Sequence, residues 1–324
     1  MATRCIIDAV PRPGVEWRFP VDLPFRHGVA AKIMVRAESS GPHDAPWLIV
    51  AGGISAGRHA VTNDINTSAG WWEGQAESFA DYRILAIDWV GADGSLDRPI
   101  DPVDQARAIL AVMDKVGIAR AAAFVGSSYG AMVGMHIAAI APHRIGGLLA
   151  ISAPAAPHPF TSAQRAIQRQ AIELGERSGR AEDGVALARK LAMIGYRTEA
   201  EFAERFAEAP AVNGNRVSVS AEPYLDAQGE RHAVRMDAVT YRRLSESIDL
   251  HRIDPATIAV PATFVAVDSD RIVPLADIEW LARQTPGGKL RCLPSTFGHD
   301  AFLKEDRVIA FFIREFLNER TQDQ

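Results

Sequence analysis

Gly126-Ser127-Ser128-Tyr129-Gly130 is the stretch that decides how this chain folds. It fits Gly-x-Ser-x-Gly. It lies between a short apolar run, Ala121 to Val125, and a run of small residues, Ala131 to Ala141, that reads as helix. The order is strand, tight turn, helix. A serine at such a turn is held in strained backbone with its hydroxyl raised above the sheet, and the flanking glycines leave room for it. The helix that follows aims its positive end at the same point, where negative charge develops in acyl transfer. The five residues alone would also fit a glycine-serine turn without chemistry. The strand-turn-helix setting favours a nucleophile.

Outward from this turn, strands and helices alternate. Trp47 to Ala51 and Tyr82 to Val90 are continuous apolar runs, as expected of strands buried on both faces. Gly70-Trp71-Trp72 opens a helix or loop between them. Asp101-Pro102 starts a helix with an N-cap acceptor and a proline in the first turn, and Gly117 ends it. Gly146 to Ile151 is a further strand. This rhythm predicts a mostly parallel sheet with right-handed crossovers. Before it, Val15 to Arg36 alternates apolar and polar residues around His27-Gly28, which predicts antiparallel strands at a sheet edge.

The rhythm breaks between about Pro157 and Asp254. Thr161 to Gly175, Asp183 to Gly195, Glu199 to Ala207 and Tyr241 to Leu250 read as amphipathic helices. The α/β order resumes with strand Ala262 to Val267, helix Leu275 to Gln284, strand Lys289 to Leu293 and a last helix carrying Ile309, Phe312, Ile313, Phe316 and Leu317 on one face. The expected organisation is an α/β core from residues 1–156 and 255–324, with a helical lid, 157–254, inserted over the carboxyl end of the sheet.

Composition narrows the class. The 324 residues are 48% hydrophobic, enough for a buried core. A net charge of −5 with both signs interspersed gives no footprint for nucleic acid or an anionic membrane. Two cysteines, Cys5 and Cys292, offer neither a disulfide framework nor a metal cluster, so a reducing cytoplasm is expected. Met1 to Val10 lacks the features of a signal peptide, and no apolar run is long enough to span a membrane.

A serine hydroxyl needs a base within hydrogen-bond reach, and that base needs an orienting carboxylate. On this scaffold the chain order is Ser, Asp or Glu, His. Asp270 follows the strand ending at Val267, and His299 follows the strand ending at Leu293, so both face the sheet edge where Ser128 stands. Asp268 competes with Asp270 for the carboxylate role, and Asp270 also fits a turn or capping carboxylate. The oxyanion donors expected are the backbone N–H groups of Tyr129 and of Ile54, the latter in Gly52-Gly53-Ile54-Ser55 after the first buried strand.

Several segments together resemble a known family. Gly-Gly-Ile-Ser-Ala-Gly-Arg-His (52–59), Gly-Trp-Trp (70–72), the elbow at 123–134, Gln-Arg-Gln-Ala-Ile (168–172), Tyr-Arg-Thr (196–198), Tyr-Leu-Asp-Ala-Gln-Gly (224–229), Ser-Ile-Asp-Leu-His (247–251) and Gly-His-Asp-Ala-Phe-Leu (298–303) are similar to the homoserine O-acyltransferases of the α/β-hydrolase superfamily. The matches run in order through both core and insertion. The resemblance implies an α/β-hydrolase fold and transfer of an acyl group from acyl-CoA to the hydroxyl of L-homoserine, feeding methionine synthesis. It implies Ser128 as acylated nucleophile, His299 as base and Asp270 as its partner. It implies no bound cofactor beyond the acyl-CoA co-substrate, no metal, and a homodimer through the lid helices.

The same resemblance puts Arg169 and Asp300 at the amino acid's carboxylate and ammonium, and Tyr196 near that pocket. A guanidinium forks onto a carboxylate and an aspartate pairs with an amine. From the residues alone, Arg169 also reads as a solvated helix residue. The chain departs from many relatives in the short Gly91-Ala92-Asp93-Gly94-Ser95 segment, which leaves the acyl donor open. Arg58, near the oxyanion loop, would suit the terminal carboxylate of a succinyl group, and this tips the expectation toward succinyl-CoA over acetyl-CoA. Arg58 equally suits capping the loop or a CoA phosphate. Serine as acceptor, and an esterase with the same triad, are the other readings; the family motifs in the insertion speak for the transferase.

Overall fold

A computed structural model describes residues 12–322. Met1 to Val10, read above for a signal peptide, and Cys5 lie outside the described residues. Alternating burial makes β1 (Gly14–Leu23) and β2 (Ala31–Ser40) an antiparallel edge pair, and Gly28, at φ 119°, lies in their connection. The apolar runs become β3 (Trp47–Ala51) and β4 (Arg83–Ile87). Helix α1 (Pro102–Val116) has the expected Asp101 cap, completed by Asp104 in a reciprocal capping box, and ends at Gly117 in the left-handed region. Then come β5 (Ala123–Ser127), α2 (Tyr129–Ile140) and β6 (Leu148–Ile151).

Between β6 and the next sheet strand the chain leaves the sheet. Here lie α3 (Pro159–Arg177), α4 (Ala181–Tyr196), α5 (Glu199–Arg205), a small hairpin of β7 (Ala211–Asn213) and β8 (Arg216–Ser218), α6 (Glu222–Arg235) and α7 (Ala238–Leu250). The core resumes with β9 (Ala262–Val267), α8 (Leu275–Gln284), β10 (Lys289–Leu293) and α9 (Asp306–Gln322). The sheet order is β1-β2-β4-β3-β5-β6-β9-β10. From β4 to β10 every pairing is parallel.

Strand periodicity divides the core into two layers. Ile49, Leu85, Phe124, Leu148 and Phe264 face α1, α2 and α8. Their neighbours Leu48, Ile84, Val125, Leu149 and Val265 face α9 and the turn at Glu73–Phe79. A parallel sheet places all its strand-to-helix loops at one edge, so the loops after β3, β5, β9 and β10 converge there.

Helix α6 and the β7–β8 hairpin are absent from the pattern-based expectation. The hairpin residues are almost all exposed, so no buried face marks them. Helix α6 buries only Gly229 and His232. It packs on α4 through Gly229, where a Cβ would lie 2.7 Å from the Ala186 carbonyl, so close approach replaces the usual apolar stripe.

Candidate active site

The turn between β5 and α2 places Ser128 at φ 52°, ψ −121°, a conformation that side chains rarely adopt. Its neighbours hold it there. Ser128 N donates to Ile151 O at 2.8 Å and Gly130 N to Gly52 O at 2.8 Å. A Cβ on Gly126 would sit 2.7 Å from Ala131 N, and one on Gly130 would collide with the Ala51 carbonyl. Both glycines of the motif are therefore required by space.

The three residues expected to act together are joined by hydrogen bonds. Ser128 Oγ lies 2.8 Å from His299 Nε2, and His299 Nδ1 lies 2.7 Å from Asp270 Oδ2. The other oxygen, Asp270 Oδ1, accepts from the N–H groups of Ile272 (2.8 Å) and Val273 (3.0 Å). The carboxylate is thus clamped from one side and offers the other to the imidazole. Asp268 instead accepts from Ser295 N at 3.1 Å, which decides between the two aspartates. With Nδ1–H donating to Asp270, Nε2 is left to accept the Ser128 proton. Burial is the largest influence on His299 and opposes its charged form, but the charge and hydrogen bond of Asp270 outweigh it. The net effect raises the imidazole above its ordinary value.

Of the expected oxyanion donors, one follows the serine directly in the chain and the other lies on a loop that lines the same cavity. Tyr129 N is the first amide of α2. The Gly53 carbonyl accepts from Ala56 N at 2.9 Å and from the Trp89 indole at 3.0 Å. A trans peptide points its N–H opposite its carbonyl, so these bonds turn the Ile54 N–H the other way. Gly53 and Ile54 share one cavity with Ser128. Trp89 also packs edge-on to the Tyr129 ring at 4.9 Å, touching both halves of the candidate hole. The Tyr129 hydroxyl, fully buried, bonds Ser247 Oγ on α7 at 2.6 Å and ties the elbow to the helical insertion.

The cavity measures about 200 Å³, more than ten times the roughly 10–15 Å³ that one water needs by the same measure. Asp300 and Tyr196 line it as expected. The Tyr196 ring stacks on His299 with centroids 5.7 Å apart, and Asp300 pairs with Arg197 at 3.2 Å.

Two expected arginines require correction. Arg58 does not line the cavity; its guanidinium is held by Asp88 at 2.7 Å and Glu16 at 2.9 Å, on the strand side of the loop. Arg169 also lies off the cavity, with Nη1 on Asp249 (2.7 Å) and Ser245 Oγ (3.0 Å). The cavity arginines are Arg165, one turn earlier on α3, and Arg189 on α4. Arg189 lies over the Tyr196 ring at 5.3 Å and has no carboxylate partner among the described residues. Sequence reasoning missed it, although seven residues before Tyr196 is the same helix face.

Known proteins resemble this chain in fold and in sequence. The alpha/beta hydrolase fold profile matches residues 46–306. A homoserine O-succinyltransferase from Xanthomonas campestris is 48% identical over 94% of this chain and 84% of that protein. The chain belongs to the homoserine O-acyltransferase family. A homoserine O-acetyltransferase from Thermus thermophilus, another member, is 32% identical over 68% of this chain and 58% of its own. Among solved structures, a homoserine O-acetyltransferase from Bacillus anthracis superposes with a TM-score of 0.82 at 17% identity, covering 94% of this chain and 98% of that one. Esterase E22 superposes equally well, at 0.83 and 17% identity over 94% and 100%. The fold is therefore shared by transferases and esterases alike, and family membership rests on the sequence match.

Proposed function

We propose that this protein transfers a succinyl group from succinyl-CoA to the hydroxyl of L-homoserine, a step of methionine biosynthesis, through an ester on Ser128. The observation that carries this reading is the Ser128–His299–Asp270 hydrogen-bond chain opening into a cavity that also presents Arg189 and Asp300. The 48% match to a succinyl-transferring relative favours succinyl over acetyl.

In the first half-reaction His299 Nε2 takes the Ser128 proton as Oγ bonds the thioester carbon. The C–S bond breaks, and His299 returns the proton to the CoA thiolate. In the second, Nε2 takes the homoserine hydroxyl proton, that oxygen bonds the acyl carbon, and the C–Oγ bond breaks with the proton returning to Ser128. The Tyr129 and Ile54 amides receive the oxyanion each time. Arg189 anchors the homoserine carboxylate and Asp300 its ammonium, since both line the cavity beside Tyr196, next to the base. Water competes with homoserine, so the insertion between β6 and β9 serves as a lid. Acyl-CoA is a co-substrate, and no resident cofactor is needed.

A second copy of the chain fits the outer face of the lid. Phe160, Ile167 and Leu174 on α3 and Leu187, Leu191 and Ile194 on α4 recur at helical spacing and are all exposed, from 37% to 60%. We place a homodimer contact there and the enzyme in the cytoplasm. No helix among the described residues is long and apolar enough to cross a membrane.

The test is purified protein with homoserine or serine, each with succinyl-CoA or acetyl-CoA, following free thiol and ester product. Succinyl-CoA with homoserine should be fastest. Thiol release that ignores the amino acid would show hydrolysis instead and overturn the reading.

A further inference from the structure

Two carboxylates enter the cavity in the proposed reaction, one on homoserine and one at the far end of the succinyl group. The lining supplies two arginines, and only Arg189 has been given a partner. We propose that Arg165 holds the distal carboxylate of the succinyl group, and that its pairing with Asp249 sets it in place to do so.

The geometry around Arg165 supports this. Its Nε and Nη2 both bond Asp249 Oδ1, at 2.9 and 2.6 Å, and Nη2 also reaches Ser162 Oγ at 3.0 Å. One edge of the guanidinium is therefore fixed. Nη1 has no partner among the described residues. The side chain is 9% exposed, and the residue lines the cavity. Asp249 is shared with Arg169, so two positive charges meet one negative and the cluster keeps a net positive charge. Arg165 is close enough to His299 for its charge to oppose protonation there. A desolvated cation that is already oriented binds a carboxylate with little loss of freedom. An acetyl group carries no distal carboxylate for Nη1 to bind. Arg58, the arginine expected from sequence, is neutralised by two carboxylates away from the cavity.

Two arginines divide between two carboxylates by position. Arg189 shares its side of the cavity with Tyr196, which adjoins Arg197 and, through it, Asp300, the group suited to an ammonium. Arg165 belongs to the α3–α7 side, beside Ser245 and Ile248, where no carboxylate lines the cavity among the described residues. A group with one negative charge and no amine fits that side.

This inference rests on the succinyl-transfer reading, and the experiment separates the two. Acyl transfer to homoserine is measured for wild type, Arg165→Gln and Arg165→Lys with succinyl-CoA, acetyl-CoA and butyryl-CoA, which has the succinyl chain length without the charge. Wild type should prefer succinyl-CoA to butyryl-CoA. In R165Q the ratio of kcat/KM for succinyl-CoA over acetyl-CoA should fall roughly 10- to 100-fold, the worth of one hydrogen bond to a charged group, while the homoserine KM moves far less. R165K keeps the charge without the fork and should lie between the two. Equal losses with all donors, a loss confined to the homoserine KM, or a wild type indifferent to succinyl against butyryl would each overturn the assignment. A wild type that acylates no homoserine from any donor would defeat the functional reading itself, and the assignment with it. If R165Q does not fold, the wild-type donor preference and the R165K ratio still decide.

Discussion

Replacing Asp270 with Asn tests the site more sharply than removing the side chain. The substitution keeps the shape and removes the charge. Asp270 Oδ1 accepts two backbone donors, so an asparagine must keep its carbonyl oxygen there, against Ile272 N and Val273 N. Its amide nitrogen then faces His299 Nδ1 at the 2.7 Å now spanned by a charge-assisted bond. Two donors cannot meet at that distance. The imidazole escapes by moving its proton to Nε2, where it can no longer take the proton of Ser128. Flipping the amide instead sets its NH2 against two N–H groups, which is worse. The expected loss in kcat is about 10³- to 10⁴-fold, or roughly 4–5.5 kcal/mol of barrier. KM for homoserine should change little, because Arg189 and Asp300 are untouched. The pH dependence gives an independent reading. The base works as neutral imidazole, so wild-type activity falls as pH drops through the raised value of His299, and that acid limb lies above a histidine's ordinary value. In D270N the raising partner is gone and burial remains, so any residual activity should keep its acid limb at lower pH. The assay is steady-state acyl transfer across pH, with circular dichroism to confirm the fold. More than a tenth of wild-type kcat in D270N, or an unmoved acid limb, would refute the reasoning.

Other expectations follow from single contacts. Trp89→Phe removes the indole donor to Gly53 O but leaves Ala56 N in place; it should cost roughly tenfold in kcat and about 1 kcal/mol in stability, read by kinetics and urea melts. Gly130→Ala sets a methyl against the Ala51 carbonyl and should lower stability by about 1–3 kcal/mol or more, with loss of activity from the displaced elbow; a normal melting temperature would contradict the packing described. His136 and His251, buried and 3.2 Å apart, are held by burial down to about 4 and about 3. In the unfolded chain they bind protons near their ordinary value of about 6.5. Their contribution to stability is therefore complete above that pH and declines as pH falls toward the lower values, by up to about 1.4 kcal/mol per pH unit for each. Denaturation midpoints measured from pH 7 to 4.5 should show this slope, and His136→Gln should flatten it.

The elbow and its partners were legible because local pattern and topology dictate them. A strand-turn-helix with glycines at 126 and 130 admits one backbone path, and loops at the carboxyl ends of β9 and β10 must bring Asp270 and His299 to it. Asp270 is legible as the carboxylate from its place on the loop after β9, and its contacts with two N–H groups and the imidazole set it apart from Asp268. The arginines were not legible. Arg58, Arg165, Arg169 and Arg189 are alike in sequence. Their positions are set by partners far along the chain, Glu16 and Asp88 for the first and Asp249 for the next two, and by how α3, α4 and α7 pack. Helix α6 escaped because it meets α4 through a glycine, leaving no apolar period to read.

Intact-mass spectrometry of the protein mixed with succinyl-CoA in the absence of homoserine tests the account most directly. It should show one added succinyl group per chain, mapped by peptide fragmentation to Ser128, absent in Ser128→Ala and discharged when homoserine is supplied. Steady turnover to O-succinylhomoserine by a chain that never carries that group, or by the alanine variant, would contradict it.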